Sequence, residues 1–264
     1  MLTWFLRRMG KRLALGDLVD FADTFRSPCR GVYDTWEEAQ RAVSQARKMG
    51  YDHPEVAPMY LEYTEKLRPS DYAVLFWMKS VISESLSVFD LGGNIGIECY
   101  SFEKYLNYPR GFRWIVCDLP GITRFGKELA EKRNVSRLTF TQDYQDADGT
   151  DILLTAGTLQ CMETDLSAIL SKLRSKPGHL LVNRIPLYDG KSFCTVRELT
   201  VRDLPTIMLV YRVFNRNDFI NSILANGYQL IDSWNISEGN CVIPFRPDKS
   251  VRAYTGLYFR LNTR

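Results

Sequence analysis

Residues 88–96 read VFDLGGNIG, an apolar run that meets an acid at Asp90 and then passes into a glycine-rich turn. The apolar run predicts a buried strand, and Gly92, Gly93 and Gly96 permit a tight turn because they lack a Cβ. A helix that starts after such a turn directs free backbone N–H groups toward the same point. The stretch therefore predicts an α/β sheet with a ligand site where this strand ends.

The glycine pattern also favours one class of ligand. Dinucleotide sites place G-x-G-x-x-G here to hold a pyrophosphate, but Leu91 occupies the first glycine position. The residues instead fit D-x-G-x-x-x-G. A carboxylate at Asp90 would repel a pyrophosphate and attract the ammonium of a methionine moiety, directly or through water. We therefore predict S-adenosylmethionine, and not NAD, as the cofactor. The turn residues assigned to it are Asp90, Gly92, Gly93, Asn94 and Gly96.

A second acid supports this prediction. Residues 113–118 read RWIVCD, so Asp118 ends the next predicted strand, about 20 residues after the turn, where an acid is placed to accept hydrogen bonds from both ribose hydroxyls. Leu119 would cover the adenine ring, and Gly157, after the fourth strand, completes the predicted cofactor site. Asp143 would contact the adenine edge or serve only as a solvated turn residue. The alternative is that the glycines merely form a turn and that both acids are surface residues.

From residue 87 onward, short apolar runs rich in β-formers alternate with helical stretches. This alternation is typical of βαβ units and a parallel sheet. Right-handed crossovers would place helices on both faces of the sheet and the carboxyl ends of the strands along one edge. The predicted strands are Val88–Leu91, Arg113–Cys117, Leu138–Thr141, Ile152–Thr155 and Leu180–Asn183, and the predicted helices lie near 95–106, 121–133 and 163–174.

The chain before residue 87 reads as helical. A capping-box sequence begins at Thr35, and Ser70 is a candidate cap for a second helix. We therefore predict an N-terminal helical appendage or lid over residues 1–86 and an S-adenosylmethionine-binding domain over residues 87–264.

The last part of the chain changes pattern again. Residues 186–212 read as a loop-rich span, and a helix is predicted over 217–225 with Gly227 behind it. Two runs, at 228–234 and 253–261, would form a closing antiparallel pair. The predicted fold class is thus α/β, a doubly wound, mostly parallel, seven-stranded sheet of the Rossmann-like kind that methyltransferases commonly have.

Charge and cysteine content exclude several function classes. The chain has 34 basic and 31 acidic residues among 264, and a net charge of +3 is too small for a protein that mainly grips a phosphate backbone. Nucleic acid is therefore not an expected partner. The six cysteines form no C-x-x-C pair, and only His53 and His179 could add imidazole ligands, so neither a metal site nor a disulfide framework is predicted. Reduced thiols point to a cytoplasmic protein.

The first residues carry a separate hypothesis. Leu2, Phe5, Met9 and Leu13 recur at helical spacing among basic residues. This pattern predicts either a peripheral contact of residues 1–15 with an anionic membrane surface or a terminal helix packed on its own domain or on a partner subunit. The sequence leaves the oligomeric state open.

Short blocks along nearly the whole chain resemble a family of methyltransferases of about this length that are often encoded among surface-polysaccharide biosynthesis genes. The order and spacing of the blocks carry the match, and they read GVYDTWEEAQ, GYD, VFDLGGNIG, GTLQCM, VNRIPL, VYRVFNRNDF, NGYQLIDSW and YTGLYFRL. The resemblance implies the class I methyltransferase fold and S-adenosylmethionine as cofactor. It also implies a sugar or glycan precursor, small or lipid-linked, as acceptor, and we expect methylation at oxygen.

Methyl transfer from a sulfonium is an in-line displacement, so the protein needs to position the acceptor and, for a hydroxyl, to remove a proton. Arg184 or Arg212 would pair with a carboxylate or phosphate on the acceptor. The predicted catalytic residues are His53, Gln160, Asn183 and Arg184, and further candidates for the acceptor pocket are Thr158, Met162, Tyr211, Arg212 and Asn215.

No residue stands out as the general base. His53 titrates in a suitable range but equally fits a structural role, and His179 comes before the fifth strand, at the wrong end of the sheet. Asp52 and Glu198 stay open candidates. Two other functions are therefore kept: an NAD-linked nucleotide-sugar oxidoreductase on a similar sheet, and a catalytically degenerate methyltransferase fold that acts as a scaffold in a polysaccharide-assembly complex.

Overall fold

The computed structural model describes residues 27–45, 50–200 and 206–262. Its strands are β1 (Cys29–Tyr33), β2 (Ser87–Leu91), β3 (Arg113–Cys117), β4 (Leu138–Thr141), β5 (Ile152–Ala156), β6 (His179–Ile185), β7 (Leu187–Tyr188), β8 (Phe193–Leu199), β9 (Ile207–Asn215), β10 (Tyr228–Ile236) and β11 (Tyr254–Leu261). Its α-helices are α1 (Trp36–Gln45), α2 (Asp71–Val81), α3 (Ile97–Ser101), α4 (Pro120–Lys132), α5 (Leu166–Lys172) and α6 (Arg216–Leu224).

The main sheet has seven strands in the order β10-β11-β6-β5-β2-β3-β4. β2 pairs in parallel with β3 and β5, and the parallel pairing extends to β4 and β6. β11 runs antiparallel to both β6 and β10. The predicted doubly wound, mostly parallel sheet with a closing antiparallel pair is therefore confirmed. Because the strand order reverses between β2 and β5, the chain diverges there and leaves a crevice at the carboxyl edge.

All five predicted parallel strands are present, and their sequence explains why. Every residue of β2 is buried, because helices cover both faces of the sheet, so the strand reads as a continuous apolar run. Phe89 packs in the cluster on one face and Trp114 in the cluster on the other. A fully buried aromatic side chain stabilises the fold by roughly 1.5–3 kcal/mol.

The helices match the prediction in place but not always in length. Thr35 Oγ1 accepts a hydrogen bond from the Glu38 backbone N–H (3.2 Å), which is the capping bond expected at the start of α1. Helix α2 begins directly after Ser70, although that side chain makes no capping bond. The helix expected over 95–106 is a short one, Ile97–Ser101, and the one expected over 163–174 is Leu166–Lys172.

The loop-rich span predicted over 186–212 is wrong. The described residues there contain β7, β8 and the first part of β9, which join β1 in a second sheet of order β1-β8-β9-β7. Phe193 packs toward one core and Cys194 toward another, with α1 on that side. Because β8 is buried on both faces, it lacks the apolar–polar alternation that identifies a half-buried strand.

The appendage is not wholly helical. Cys29 and Arg30 of β1 pair with β8, and a 3-10 segment runs over Ala57–Thr64. The division at residues 86 and 87 stays a prediction, since β1 and β8 come from opposite sides of it. The amphipathic pattern of residues 1–15 lies outside the described residues. No helix in the described part of the chain has the length and apolar character of a membrane span.

Candidate functional site

The glycine turn after β2 forms one wall of the crevice. Gly92 has a φ of +74°, Gly96 of +90°, and Asn94 between them also has a positive φ of 55°. A Cβ on Gly92 would clash with Thr158 Oγ1, so the close approach requires glycine. Thr158 Oγ1 donates a hydrogen bond to the Gly92 carbonyl (3.3 Å). The segment after β5 therefore forms the facing wall.

Asp90 lies behind this turn and is fully buried. Its Oδ2 accepts a hydrogen bond from Trp114 Nε1 (3.0 Å), whereas Oδ1 has no partner among the described residues. Burial, followed by the neighbouring Glu98 carboxylate, raises the pKa of Asp90 well above its ordinary range. Contact with a cofactor ammonium stays a prediction, and Oδ1 is the atom with acceptor capacity for it.

Asp118 directly follows β3 and faces the same crevice. Its Oδ2 accepts a hydrogen bond from the Asn94 backbone N–H (2.9 Å), and its Oδ1 accepts one from the Leu119 N–H (2.7 Å). Burial, with a smaller contribution from the Asp52 carboxylate, raises the pKa of Asp118 to about 6, although the Leu119 and Asn94 N–H groups lower it. Each carboxylate oxygen keeps a second lone pair for a ligand donor. Leu119, 43% exposed, presents apolar surface beside it.

Asp143 lies at the end of β4 and is exposed. Its Oδ1 accepts a hydrogen bond from the Gln145 N–H (2.9 Å) and so caps the 3-10 turn Tyr144–Ala147. This contact accounts for an aspartate at the position without any ligand. Its contact with an adenine edge stays a prediction.

Two residues of the appendage cover the crevice, and we call Tyr51 and Asp52 the roof. Tyr51 OH accepts a hydrogen bond from Asn94 Nδ2 (3.1 Å) and donates one to Tyr60 OH (2.6 Å). Asp52 Oδ1 accepts a hydrogen bond from the Gly121 N–H (2.6 Å) at the start of α4. The roof is thus bonded to the glycine turn on one side and to the helix after β3 on the other.

No protein-family model and no curated protein sequence matches this chain, but solved structures do. The 1,6-didemethyltoxoflavin-N1-methyltransferase of Burkholderia thailandensis, solved with 1,6-didemethyltoxoflavin and S-adenosylhomocysteine, is 17% identical over 96% of this chain and 93% of its own, with a TM-score of 0.50. The CcbJ methyltransferase of Streptomyces caelestis is 12% identical over 81% and 99%, with a TM-score of 0.55. The mitomycin 7-O-methyltransferase MmcR is 14% identical over 86% and 67%, with a TM-score of 0.50.

This chain has the class I methyltransferase fold. At these identities the likeness extends to the fold alone. On this fold the predicted cofactor residues of the glycine turn, Asp118 and Gly157 meet at one edge of the sheet, which is the edge that the sequence predicts.

Gln160 lies in the 3-10 turn Leu159–Cys161, shortly after the end of β5. It is only 3% exposed, and its Oε1 has no hydrogen-bond partner among the described residues. A Cβ built on Gly157, whose φ is +77°, would lie 3.8 Å from Gln160 Nε2 and 3.3 Å from Arg184 Nε. Buried polar atoms are nearly always paired, so Gln160 Oε1 has acceptor capacity that the described residues do not fill.

Asn183 and Arg184 hold the wall at the end of β6. Asn183 Nδ2 donates to the Ser70 carbonyl (3.1 Å). Arg184 Nη1 contacts Asp71 Oδ1 at 2.5 Å, and Nη2 contacts Glu98 Oε1 at 3.0 Å. Arg184 also has a φ of +60°, which costs a non-glycine residue about 1–2 kcal/mol. The two residues join the appendage and the helix after the glycine turn to the sheet, and direct catalytic roles for them stay predictions.

The base candidates are spread over the molecule. His53 is exposed, and its Nδ1 lies 3.8 Å from the Glu55 carboxylate. His179 begins β6, and its Nδ1 shares a hydrogen bond with Tyr258 OH (2.8 Å) at the amino edge of the sheet. Glu198 lies 3.8 Å from Arg30. A role for His53 as base stays a prediction.

Arg212 and Asn215 line a different cavity, of about 580 Å³, which also contacts Trp36. Arg212 pairs with Asp165, and its guanidinium lies 5.4 Å from the centre of the Trp36 ring. None of the predicted cofactor residues lines this cavity. Among the described residues, no three His, Cys, Asp or Glu side chains are placed to hold a metal ion.

Sequence patterns do not single out Tyr51 or Glu98, although both contact the predicted site. Tyr51 belongs to the GYD block, which is the only local signal for it. Glu98 lies on the short helix after the glycine turn, where a helical position alone gives no reason to expect an ion pair with Arg184. Their importance depends on pairings between distant segments.

Proposed function

We propose that this protein transfers a methyl group from S-adenosylmethionine to an oxygen atom of a saccharide acceptor, small or lipid-linked, in surface-polysaccharide biosynthesis. One observation carries the cofactor assignment. The N–H groups of Asn94 and Leu119 both bond to Asp118 at the end of β3, the neighbour of β2, and the strand order reverses between β2 and β5. The saccharide and the oxygen atom rest on the sequence resemblance, since one similar enzyme is named for N-methylation and another for O-methylation.

The groups at the crevice fit this cofactor. Asp90 Oδ1 has acceptor capacity for an ammonium, and Asp118 has capacity for ribose hydroxyls. Leu119 offers its exposed apolar side chain to adenine. S-adenosylmethionine, when bound, supplies an electrophilic methyl group on a sulfonium. A pyrophosphate at the glycine turn would face the carboxyl group of Asp90, which disfavours NAD.

The acceptor is proposed to lie on the β5 and β6 side of the cofactor. The reaction converts an O–H bond of the acceptor into O–CH₃ and releases S-adenosylhomocysteine and a proton. Gln160 Oε1, buried and unpartnered among the described residues, would accept a hydrogen bond from the acceptor and orient it. Asn183 and Arg184 would hold the wall around it, and His53 is retained as the proposed base. The proposed location is the cytoplasm, with residues 1–15 at the inner face of the membrane.

Binding of S-adenosylhomocysteine, measured by calorimetry, tests the cofactor. The wild type should bind it, and a ligand at 100 times its dissociation constant should stabilise the fold by ~2.7 kcal/mol. Gly92→Ala should abolish binding, because its Cβ would meet Thr158. Gly111→Ala is the matched control: Gly111 also has a positive φ, +81°, but nothing lies within 4 Å of its Cβ. Stabilisation by NAD and none by S-adenosylhomocysteine would reject the proposal.

Turnover separates an enzyme from a scaffold. We expect the wild type to consume S-adenosylmethionine in the presence of pooled cell-envelope saccharide precursors, and Asp90→Ala to lose that activity. Cofactor binding without consumption under any of these conditions would instead support the degenerate scaffold. Deleting residues 1–15 should release the protein from anionic vesicles, and unchanged partitioning would contradict the membrane contact.

A further inference from the structure

The arginines that the sequence nominates as anion ligands already have carboxylate partners. Arg184 lies between two carboxylates, and Arg212 pairs with Asp165. Arg197 on β8 is different. It is half-buried, and no carboxylate of the described residues lies within ion-pair distance of it. A partly desolvated charge without a counter-charge is unfavourable. An anionic ligand would supply the counter-charge that Arg197 lacks among the described residues.

Tyrosines hold the Arg197 guanidinium in place. Its Nη1 donates hydrogen bonds to Tyr254 OH (2.8 Å) and to the Asn240 carbonyl (3.3 Å). The guanidinium lies 4.9 Å from the centre of the Tyr211 ring, and Tyr211 OH lies 2.7 Å from Tyr254 OH. These contacts occupy Nη1 and one face of the guanidinium plane. Nε and Nη2, the edge that binds a carboxylate or phosphate through two parallel bonds, have no hydrogen bond to a described residue.

This guanidinium lies on the acceptor side of the crevice. β9, which carries Tyr211, packs on the turn Leu159–Cys161 after β5. Cys161 packs against the cluster that contains Tyr211 and is close enough to both Arg197 and Asp118 to interact electrostatically with each. Arg197 therefore lies near Cys161, which belongs to the turn that also carries Gln160.

We propose that Arg197 binds an oxyanion of the acceptor, a carboxylate or a phosphate, so that the substrates of this protein are anionic saccharides. This inference rests on the proposed function and adds the chemical class of the acceptor. A guanidinium suits the task because its planar edge matches both anions in geometry. The neighbouring tyrosines fix the edge before the ligand arrives, which reduces the entropy lost on binding.

The test uses the full-length protein saturated with S-adenosylhomocysteine, with inorganic phosphate and acetate as separate probes. Calorimetry or thermal stabilisation should show anion binding to the wild type and about 10- to 100-fold weaker binding to Arg197→Gln, the effect of losing a charged hydrogen-bonding partner. Arg197→Lys keeps the charge but loses the bidentate edge, so it should fall between them. Arg174→Gln is the control, since Arg174 is 94% exposed and pairs with Asp148.

The two probes distinguish the source of the anion. Stronger binding of phosphate indicates a sugar phosphate or nucleotide sugar, and stronger binding of acetate indicates a uronic acid. Each should then be checked with glucose 1-phosphate or glucuronate against neutral glucose. Binding of neither anion, or wild-type anion affinity in Arg197→Gln, overturns the inference. Should Arg197→Gln fail to bind S-adenosylhomocysteine, Arg197→Lys decides by the same criterion. Failure of the wild type to bind S-adenosylhomocysteine rejects the proposed function instead.

Discussion

The Asn94 backbone N–H and the Asp118 carboxylate are joined by a hydrogen bond of 2.9 Å, which connects the glycine turn after β2 to the end of β3. The bond fixes the position of the Asp118 carboxylate relative to the glycine turn. It also places a carboxyl group with a pKa of about 6, raised by burial, at the position proposed for the ribose. Ligand binding and proton binding are therefore linked at Asp118.

We expect the affinity for S-adenosylhomocysteine to rise as the pH increases through about 6. Ribose hydroxyls donate to the ionised form of Asp118, so ligand binding should lower this pKa and release protons. The stability of the free protein has the opposite pH dependence, and it falls as the pH rises. The raised pKa favours folding at low pH, and that contribution is lost between the unfolded value near 3.9 and about 6.

Calorimetry at several pH values, in buffers that differ in ionisation enthalpy, measures both the affinity and the proton release. Asp118→Asn should bind about tenfold more weakly and show little pH dependence near 6. Asp189→Asn, at a side chain that is 94% exposed, should behave as the wild type does. A pH dependence that persists in Asp118→Asn would assign the titration to another group.

Asp90→Asn should separate stability from cofactor binding. Because burial raises the pKa of Asp90, the wild type should lose stability as the pH rises above the unfolded value of about 3.9. The asparagine variant cannot ionise and should lose less over that range, as urea unfolding at several pH values would show. Its affinity for S-adenosylhomocysteine should nevertheless fall about tenfold or more, because an amide lacks the charge that attracts an ammonium. Undiminished affinity would mean that Asp90 serves only the fold.

The central part of the fold could be predicted because its strands are continuous apolar runs that end in glycine or an acid, as in Val88 to Gly92. The second sheet, of order β1-β8-β9-β7, could not be predicted. β1 joins β8 across more than half the chain, and β8 is buried on both faces. Pairings of this kind depend on the whole tertiary structure and leave no local periodicity.

The candidate site likewise contains residues whose position the sequence predicts and residues whose position it does not. Asp118 follows a strand directly, so its position at the sheet edge follows from the strand itself. The partners of Arg184 are Asp71 and Glu98, which are remote from it in sequence. The position of Arg197 depends on the second sheet, which contains β8. Sequence alone therefore nominates arginines as anion ligands by their distance from a strand end. The structure nominates them by whether a carboxylate already pairs with the guanidinium.

The roof should control how fast the cofactor product leaves. Tyr51→Phe removes the hydrogen bonds that the hydroxyl makes with Asn94 and Tyr60. Each such bond is worth about 1 kcal/mol, so we expect the dissociation rate of S-adenosylhomocysteine to rise about fivefold for each bond that matters in the complex. Stopped-flow displacement measures the rate. Tyr72→Phe, at a side chain that is 60% exposed, is the control. Equal rates in both variants would show that the roof opens without breaking these bonds.

The ion pairs of Arg184 should behave as one unit. Arg184→Met leaves the carboxylates of Asp71 and Glu98 buried without their counter-charge, which should lower the free energy of unfolding by about 3–5 kcal/mol. Arg174→Met, at an exposed ion pair, should change it by about 1 kcal/mol or less. Combining Arg184→Met with Glu98→Gln removes one of the stranded charges, so the double variant should lose less than the two single variants together. Chemical denaturation of the four proteins in this cycle measures the coupling. Additive losses would show that Arg184 and Glu98 contribute independently, and that the positive φ of Arg184 serves some purpose other than bringing these charges together.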